Sequence, residues 1–530
     1  MTDACTIYEA FADAAATHPE RPVLAYKGAE TTYETARAEV ARRAALLADR
    51  GVGPGDRVGL LCPNDPEFVY LFLATARLGA TVAPFDYRQE GEVLAYLLSD
   101  ADPSVLVVDG AVVDRYRAVE SMVDVETVLV HDAPTGRGED LDAAVAAAPD
   151  ETPPPADVSP LDVAVLSYTS GTTGPPKGVE NPHLSYVDAG RRLADACGTD
   201  ETDRGLLVLP LFHANPTTYG LMQMLAVGGS VVPIREFSAS GFFERARETE
   251  STFFTHVGSV LEILQRTLDA GDVNPETPLR FAAGGAAQFG RQREFETETG
   301  VQLVRLYGLT EAGAGLVTVA PYDPASLHGA DHQGLVADQP FEVQVLADDG
   351  VSFADDGERG ELVVRPTEPG LIFRGYRGKP EATVEAWRDL WLRTGDVGER
   401  RGDRLVYVGR SKTTIRRMGE NVSPWEVESA LTGWDRVDEA VAVGVADEVA
   451  GEAVGLWVVP ADESLTEREI HERCRGCPLY TSDAADDSLR VDPRRRRIFR
   501  HLYHPLLFLL SLLHILRCRR PLAFRSSYSP

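Results

Sequence analysis

Lysine is nearly missing from this chain: of 52 basic residues only Lys27, Lys177, Lys379 and Lys412 are lysine, and the other 48 are arginine. Positive charge of any kind is scarce, with 82 acidic residues and a formal net charge of −30. So acidic a surface repels phosphate backbones and anionic lipid, which excludes nucleic acid or a charged membrane as the main partner. The same balance fits a halophilic, salt-rich cytoplasm in which acidic surface keeps protein dissolved, although GC-rich DNA also replaces lysine by arginine. Cysteine is sparse too. The six (Cys5, Cys62, Cys197, Cys474, Cys477 and Cys518) show no repeated ligand spacing, so neither a disulfide framework nor a zinc site follows. The first twenty residues lack an apolar core run and do not read as a signal peptide, which points to a cytoplasmic protein. The most apolar run, PLLFLLSLLHIL (505–516), is shorter than the roughly 20 residues that span a bilayer.

What is present is enough for more than one core: 530 residues with 44% hydrophobic content imply at least two domains. From Thr6 to about Pro160, helical patterns such as ETARAEVARRAALLADRG alternate with β-branched runs such as DRVGLLCP and PSVLVVDG, which is α/β layering. The proline-rich, acidic APDETPPPADVSP (148–160) reads as an exposed connector. Beyond it come the strand-like runs LDVAVLSYTS, GLLVLPLF, GSVVPI, STFFTHVG, LRFAAGG and VQLVRLYG, with helical stretches between several of them, RRLADACG among these. Past FEVQVLADDG, short β-runs with Asp-Gly turns predict a β-rich unit over about 320–408. A hinge is expected within YVGRSKTTIRR (407–417), followed by helix, strand, strand and helix in a small domain over 409–475. Residues 476–530 differ in composition: they carry +6, leaving −36 for residues 1–475, and CPLYTSDAADD (477–487) resembles a translated adapter used in DNA library preparation. The natural frame is therefore expected to end near Arg475; a genuine basic tail is the alternative.

The stretch YTSGTTGPPKG (168–178) follows a buried strand with two hydroxyl pairs, Thr169–Ser170 and Thr172–Thr173, set around Gly171 and Gly174, and then Lys177. Glycines let backbone N–H groups converge on phosphate oxygens without a Cβ in the way, hydroxyls add donors, and a lysine adds a mobile charge. An ordinary surface turn is the alternative. Lys177 is preceded by Pro176 and followed by Gly178, so this is not the Walker A pattern of simple kinases and GTPases.

The same stretch resembles the signature loop of the adenylate-forming superfamily, which includes acyl-CoA synthetases, peptide-synthetase adenylation domains and beetle luciferases. Further motifs follow in that family's order: RLGATVAPFD (77–86), LPLFHAN (209–215), AAGGAA (282–287), YGLTEAG (307–313), GELVVR, RGYRGKPEAT, WLRTGD (391–396) and VGRSKTTIRRMGENVSPWEVE (408–428). The resemblance covers about residues 6–475, and IRRMGENVSPWEVE is most similar to CoA ligases of the crotonobetaine/carnitine type. It implies a large N-terminal AMP-binding domain (1–408) of layered α/β sheets with its β-rich subdomain, and a small, incomplete α+β C-terminal domain.

The resemblance also implies an activity, the activation of a carboxylic acid by ATP and Mg²⁺ and its transfer to CoA, and a set of residues. Thr169, Ser170, Gly171, Thr172, Thr173, Gly174 and Lys177 would hold the β- and γ-phosphates. Thr310 would bond the α-phosphate and Glu311 would hold Mg²⁺; a helix cap is the plain reading of a Thr-Glu pair. Asp396 would accept the ribose hydroxyls, with Arg410 beside it. Gly284, Gly285 and Ala286 would flank the adenine, tight strand packing being the other reading of the glycines, and Tyr307 and Gly308 would also bind ATP. His213 would stand between the acyl group and phosphate. Lys412 would be the hinge and Gly419 would line the CoA channel. Acyl-pocket candidates are Phe212, Asn215, His256, Val257 and Gly258. Two departures stand out. No lysine follows Lys412, where the family has one that steers the acid and the α-phosphate together, and Thr413 stands where an acid is usual. The lysine's absence predicts adenylation slowed about 10²-fold or more; a non-catalytic nucleotide- or acyl-adenylate-binding protein is the alternative function.

Overall fold

The computed structural model describes residues 5–474, apart from 133–137, 170–174, 272, 286–290, 329–331, 338, 348, 411–414, 418–419, 423–426, 429–430, 432–433, 435, 448–450 and 462–464, together with 490–491. The helical patterns near the N-terminus close with the chemistry their sequences carry. Thr6 accepts a hydrogen bond from the Glu9 N–H and the Glu9 carboxylate accepts one from the Thr6 N–H, a capping box that starts the helix Ile7–Thr17. The stretch ETARAEVARRAALLADRG forms most of the helix Tyr33–Asp49, and Gly51, at φ 83°, turns the chain out of it.

Two large sheets form the body. In the first, seven strands run in the order Glu139–Asp140, Thr127–His131, Val105–Asp109, Arg57–Leu61, Thr81–Pro84, Val163–Thr169 and Lys177–Pro182. Every neighbouring pair is parallel except the last. Its central strands are continuous apolar runs because both faces are covered, one by each of two cores. In the second, eight strands run in the order Thr318–Val319, Gln302–Tyr307, Phe281–Gly285, Phe253–Val257, Arg204–Leu207, Ser230–Pro233, Pro22–Tyr26 and Ala29–Thr32. The core shared by the two sheets includes Val165, Leu207 and the rings of Phe253 and Phe281, stacked 5.0 Å apart. The helix His183–Cys197 is buried despite its polar sequence. Arg192 pairs with Asp188 at 2.7 Å and donates to the Leu316 and Val317 carbonyls, so its charge is compensated inside the protein.

The β-rich stretch is a five-stranded antiparallel sheet of Phe341–Leu346, Arg359–Pro366, Trp387–Arg388, Trp391–Arg401 and Arg404–Arg410. After the expected hinge, Val437–Asp447 and Gly451–Pro460 pair antiparallel and the helix Glu467–Cys474 puts Ile470 in one buried cluster with Leu456, as the sequence predicts, while most of the first expected helix, SPWEVESALTG, lies outside the described residues. No helix among the described residues is long and apolar enough to cross a membrane.

One strand is unexpected. Between the glycine-rich stretch and the helix beyond it comes Lys177–Pro182, which runs antiparallel to Val163–Thr169 and pairs with it. KGVENP is poor strand sequence, but its backbone is paired on both sides. On the second side Glu180 N–H donates to the Gly375 carbonyl, Arg374 N–H to the Glu180 carbonyl and Arg377 N–H to the Gly178 carbonyl. Tertiary pairing outweighs propensity here.

Candidate active site

The hairpin presents Thr169 and Lys177 opposite each other on its last rung. Ser170, Gly171, Thr172, Thr173 and Gly174, the expected phosphate ligands between them, lie outside the described residues. The base of the hairpin is pinned by side chains. Tyr96 Oη donates to the Pro176 carbonyl at 2.9 Å, Tyr168 Oη donates to Asp100 Oδ2 at 2.9 Å, and Lys379 Nζ sits 2.7 Å from Asp100 Oδ1. Lys177 does not extend into solvent: its ammonium lies 4.7 Å from the centre of the Tyr376 ring, within range of a cation–π attraction. The same tyrosine donates its hydroxyl to Glu311 Oε1 at 2.9 Å. One aromatic side chain thus links the expected phosphate lysine to the expected magnesium carboxylate.

Tyr376 lies within RGYRGKPEAT, and the sequence alone gives it no role. Its position is fixed by the backbone on both sides. Phe373 N–H donates to the Glu311 carbonyl at 3.0 Å, Ile372 bridges to Ala312, and Tyr376 itself bridges to Val179. Glu311 is half-buried, and its carboxylate offers the hard oxygen donors that Mg²⁺ selects, so the donor set fits that ion. Thr310, also half-buried, lies in the short turn closed by the Leu309–Ala312 bridge.

Four residues before Glu311, buried Tyr307 ends the strand Gln302–Tyr307 and donates its hydroxyl to Asp396 Oδ2 at 3.0 Å. Asp396 is 2% exposed, and its backbone N–H is held by Thr394 Oγ1 at 3.0 Å. Its register partner on the next strand is Arg410, whose side chain lies outside the described atoms; Lys412 and Gly419 lie outside the described residues altogether. The glycines differ among themselves. A Cβ on Gly308 would fall 1.6 Å from the Gly315 carbonyl oxygen and one on Gly284 would fall 2.0 Å from that of His256, whereas Gly285 is exposed with nothing within 4 Å. Close backbone approach therefore accounts for Gly308 and Gly284, and an open face for Gly285; Ala286 lies outside the described residues.

On the other side of the same segment, His213 is half-buried with its ring 4.2 Å from that of Phe212. It precedes a π-helix, Asn215–Met222, a rare, wide helical form that is frequent at functional sites. That turn is tied back to the segment: Thr218 Oγ1 donates to the Ala314 carbonyl at 3.0 Å and Tyr219 Oη to the Gly315 carbonyl. Ala314 takes the left-handed conformation at φ 48°, which a side chain seldom adopts. Asn215 Nδ2 donates to the His256 carbonyl at 3.1 Å. His256 is fully buried, and that burial, with the charge of Arg305 in addition, lowers its pKa to about 3, so the imidazole is neutral. Residues 307–315 thus join three groups: Tyr307 with Asp396, Glu311 with Tyr376 and Lys177, and the turn that follows His213.

The chain matches the AMP-binding enzyme family over residues 11–377 and the C-terminal domain of AMP-binding enzymes over residues 426–479. Over 472 residues it is 30% identical to an oxalate-CoA ligase of Arabidopsis thaliana, covering 86% of this chain and 89% of that protein. It is 29% identical over 458 residues to a crotonobetaine/carnitine-CoA ligase of Salmonella arizonae, covering 84% and 86%. Among solved structures, o-succinylbenzoate CoA synthetase from Bacillus subtilis superposes with a TM-score of 0.76 at 25% identity, covering 88% and 91%.

Proposed function

The chain belongs to the AMP-binding enzyme family, and on that premise we propose that it arms a carboxylic acid with ATP and passes the acyl group to CoA. It is an acid:CoA ligase of the AMP-forming kind. A carboxylate is a poor electrophile. Its oxygen attacks the α-phosphorus of ATP, the bond to the β-phosphate oxygen breaks, and pyrophosphate leaves with that electron pair. The CoA thiol, losing its proton, then attacks the acyl carbon and AMP leaves. Neither step needs covalent help from the protein, whose share is alignment and charge neutralisation.

The observation that carries the assignment of roles is the contact series Lys177, Tyr376, Glu311 beside the buried pair Tyr307–Asp396. In this reading Lys177 and residues 169–174 hold the β- and γ-phosphates, and Thr310 takes the α-phosphate. Glu311 would hold Mg²⁺, which neutralises phosphate charge when bound. Tyr307 orients Asp396 to accept the ribose hydroxyls, with Arg410 beside it; Gly285 offers the adenine an open face, with Ala286 next to it, while Gly284 and Gly308 let the backbone close up around that site. His213 stands at the acyl side, Lys412 is the hinge between residues 1–408 and 409–475, and Gly419 lines the CoA path after the small domain turns. The net charge of −30 supports a salt-rich cytoplasm as the working medium. Oxalate and carnitine, which two relatives are named for, open the substrate panel, with short and medium fatty acids beside them. The test is acid-dependent and CoA-dependent release of AMP from ATP in high salt. Release that needs both co-substrates and falls about 10²-fold in Glu311→Ala supports the reading. ATP binding with no acid-dependent release from any of the panel favours the nucleotide-binding alternative.

A further inference from the structure

His256 lies on the strand Phe253–Val257 directly beside Gly284, and Gly284 directly beside Arg305 on the next strand. Side chains at paired positions share a face, so these three form a row across the carboxyl ends of parallel strands. Tyr307, two residues past Arg305, lies on the same face one rung further out. Gly284 leaves the middle of the row without a side chain, and a Cβ there would meet His256 Nδ1 at 3.0 Å, so the imidazole overhangs the glycine. Against the same strand end rests Asn215, two residues beyond His213, its Nδ2 spent on the His256 carbonyl. The row thus ends between the nucleoside-side pair Tyr307–Asp396 and the π-helix next to the acyl-side histidine.

Three polar atoms here are buried without a well-formed hydrogen bond among the described residues: Asn215 Oδ1, and His256 Nδ1 and Nε2, for which the Val257 and Ala282 backbone offers only weak contacts. Because Nδ2 of Asn215 donates to a carbonyl, the atom left over is the acceptor. A neutral imidazole brings one donor and one acceptor. Each unmet buried group costs about 1–3 kcal/mol, and such groups are ordinarily paired. A leucine or valine at 256 would avoid that cost if the neighbouring ligand were plain hydrocarbon.

Resting on the ligase reading above, we propose that Asn215 and His256 form a polar recognition element for the acyl group, and that the acid this chain activates carries an uncharged hydrogen-bonding substituent, a hydroxyl or an amide, in place of a plain alkyl chain. A charged tail is disfavoured because both recognising side chains are neutral and the one cation of the row, Arg305, is already engaged, so a buried charge there stays under-compensated.

Acyl-sulfamoyl adenosines, stable mimics of the acyl-adenylate, test this on the full chain without depending on turnover. A series with one nucleoside and a pentanoyl chain that is plain, hydroxylated or amidated at carbons 3 to 5, or ended by a carboxylate, is titrated by calorimetry. A hydroxyl or amide member should bind about 10- to 100-fold tighter than the plain one. That preference should collapse in His256→Leu and be retained in part in His256→Gln, while both variants keep their affinity for AMP. Equal binding of plain and polar members, or tightest binding of the carboxylate, overturns the inference and leaves the ligase reading standing. Failure of every member and of AMP to bind overturns the ligase reading itself. Melting curves of both variants separate misfolding from lost recognition.

Discussion

The carboxyl ends of the two large sheets are handled differently. At the end of the seven-stranded sheet, Asp65, Asp109 and His131 meet Arg235, which reaches over from beyond Ser230–Pro233 in the other sheet. Arg235 lies 2.7 Å from Asp109 and 3.6 Å from Asp65, and His131 lies 3.4 Å from Asp65. Burial alone would raise the Asp65 carboxyl, but the hydrogen bond and charge of His131, the Glu67 N–H and the Tyr26 hydroxyl together outweigh it and hold the pKa down. Burial would likewise lower His131, but the Asp65 hydrogen bond and the charges of Asp65, Glu67 and Asp109 together raise it. At the end of the eight-stranded sheet, His256 is neutral, and its ring nitrogens make no well-formed hydrogen bond among the described residues, only weak contacts with the Val257 and Ala282 backbone. Ends of parallel strands are where open α/β sheets take ligands. One end has its charges closed on each other and clamps the two sheets together. The other keeps neutral polar groups in reserve, beside the residues that match the family's nucleotide motifs.

The contrast predicts which substitutions cost stability and which cost binding. The largest effect is expected from Arg235→Leu: it leaves fully buried Asp109 uncompensated and should destabilise by about 3–5 kcal/mol in urea titration, with nucleotide affinity of the folded fraction unchanged. Asp396→Ala should do the reverse, lowering ATP affinity about 10²-fold, or about 2.7 kcal/mol by calorimetry, with a far smaller loss of stability. Tyr376→Phe keeps the ring under Lys177 but removes the bond to Glu311, and should slow pyrophosphate exchange about 10-fold, one hydrogen bond to a charged group. The smallest effects are in pH dependence and have opposite signs. His131, raised in the fold, contributes stability that is complete below about pH 6.5 and is lost as pH rises through its folded value. His256, lowered to about 3, makes the protein less stable as pH falls from about 6.5 towards 3. His131→Gln should flatten the first slope and His256→Leu the second, in melting curves taken from pH 4 to pH 8. A His256→Leu protein with an unchanged acid slope would contradict the neutral, buried state of that ring.

Much of this arrangement was legible because its signals are local. The strand Val163–Thr169 and the glycine-rich stretch after it read from their own residues, whereas Thr310, Glu311 and Asp396 stood out only because the short motifs that hold them resemble the family's. The Asp-Gly turns announced the five-stranded sheet, and the two long strands and helix past the hinge were read directly. What escaped was long-range. Tyr376 reaches Glu311 across 65 residues and Arg235 reaches Asp109 across 126. Nothing in GYRG or PIREF specifies such partners. The strand Lys177–Pro182 was missed because glycine and proline argue against it, and only pairing on both edges makes it form. The π-helix at Asn215–Met222 carries no periodic signature, since its start is marked only by a proline any helix would accept. Gly284 shows why a motif and a packing constraint are hard to separate: AAGGAA reads as room for a ring, while the structure also brings a carbonyl to 2.0 Å from where its Cβ would be.

The central claim is that Lys177 at the hairpin and Asp396 beneath Tyr307 grip one adenosine triphosphate. Titrating Mg-ATP into the full chain by calorimetry in high salt tests it most directly. The account predicts one nucleotide per chain, with binding weakened at least 10²-fold in the double variant Lys177→Ala, Asp396→Ala. Absence of any binding heat with the unaltered chain, or equal affinity in the folded double variant, would contradict it.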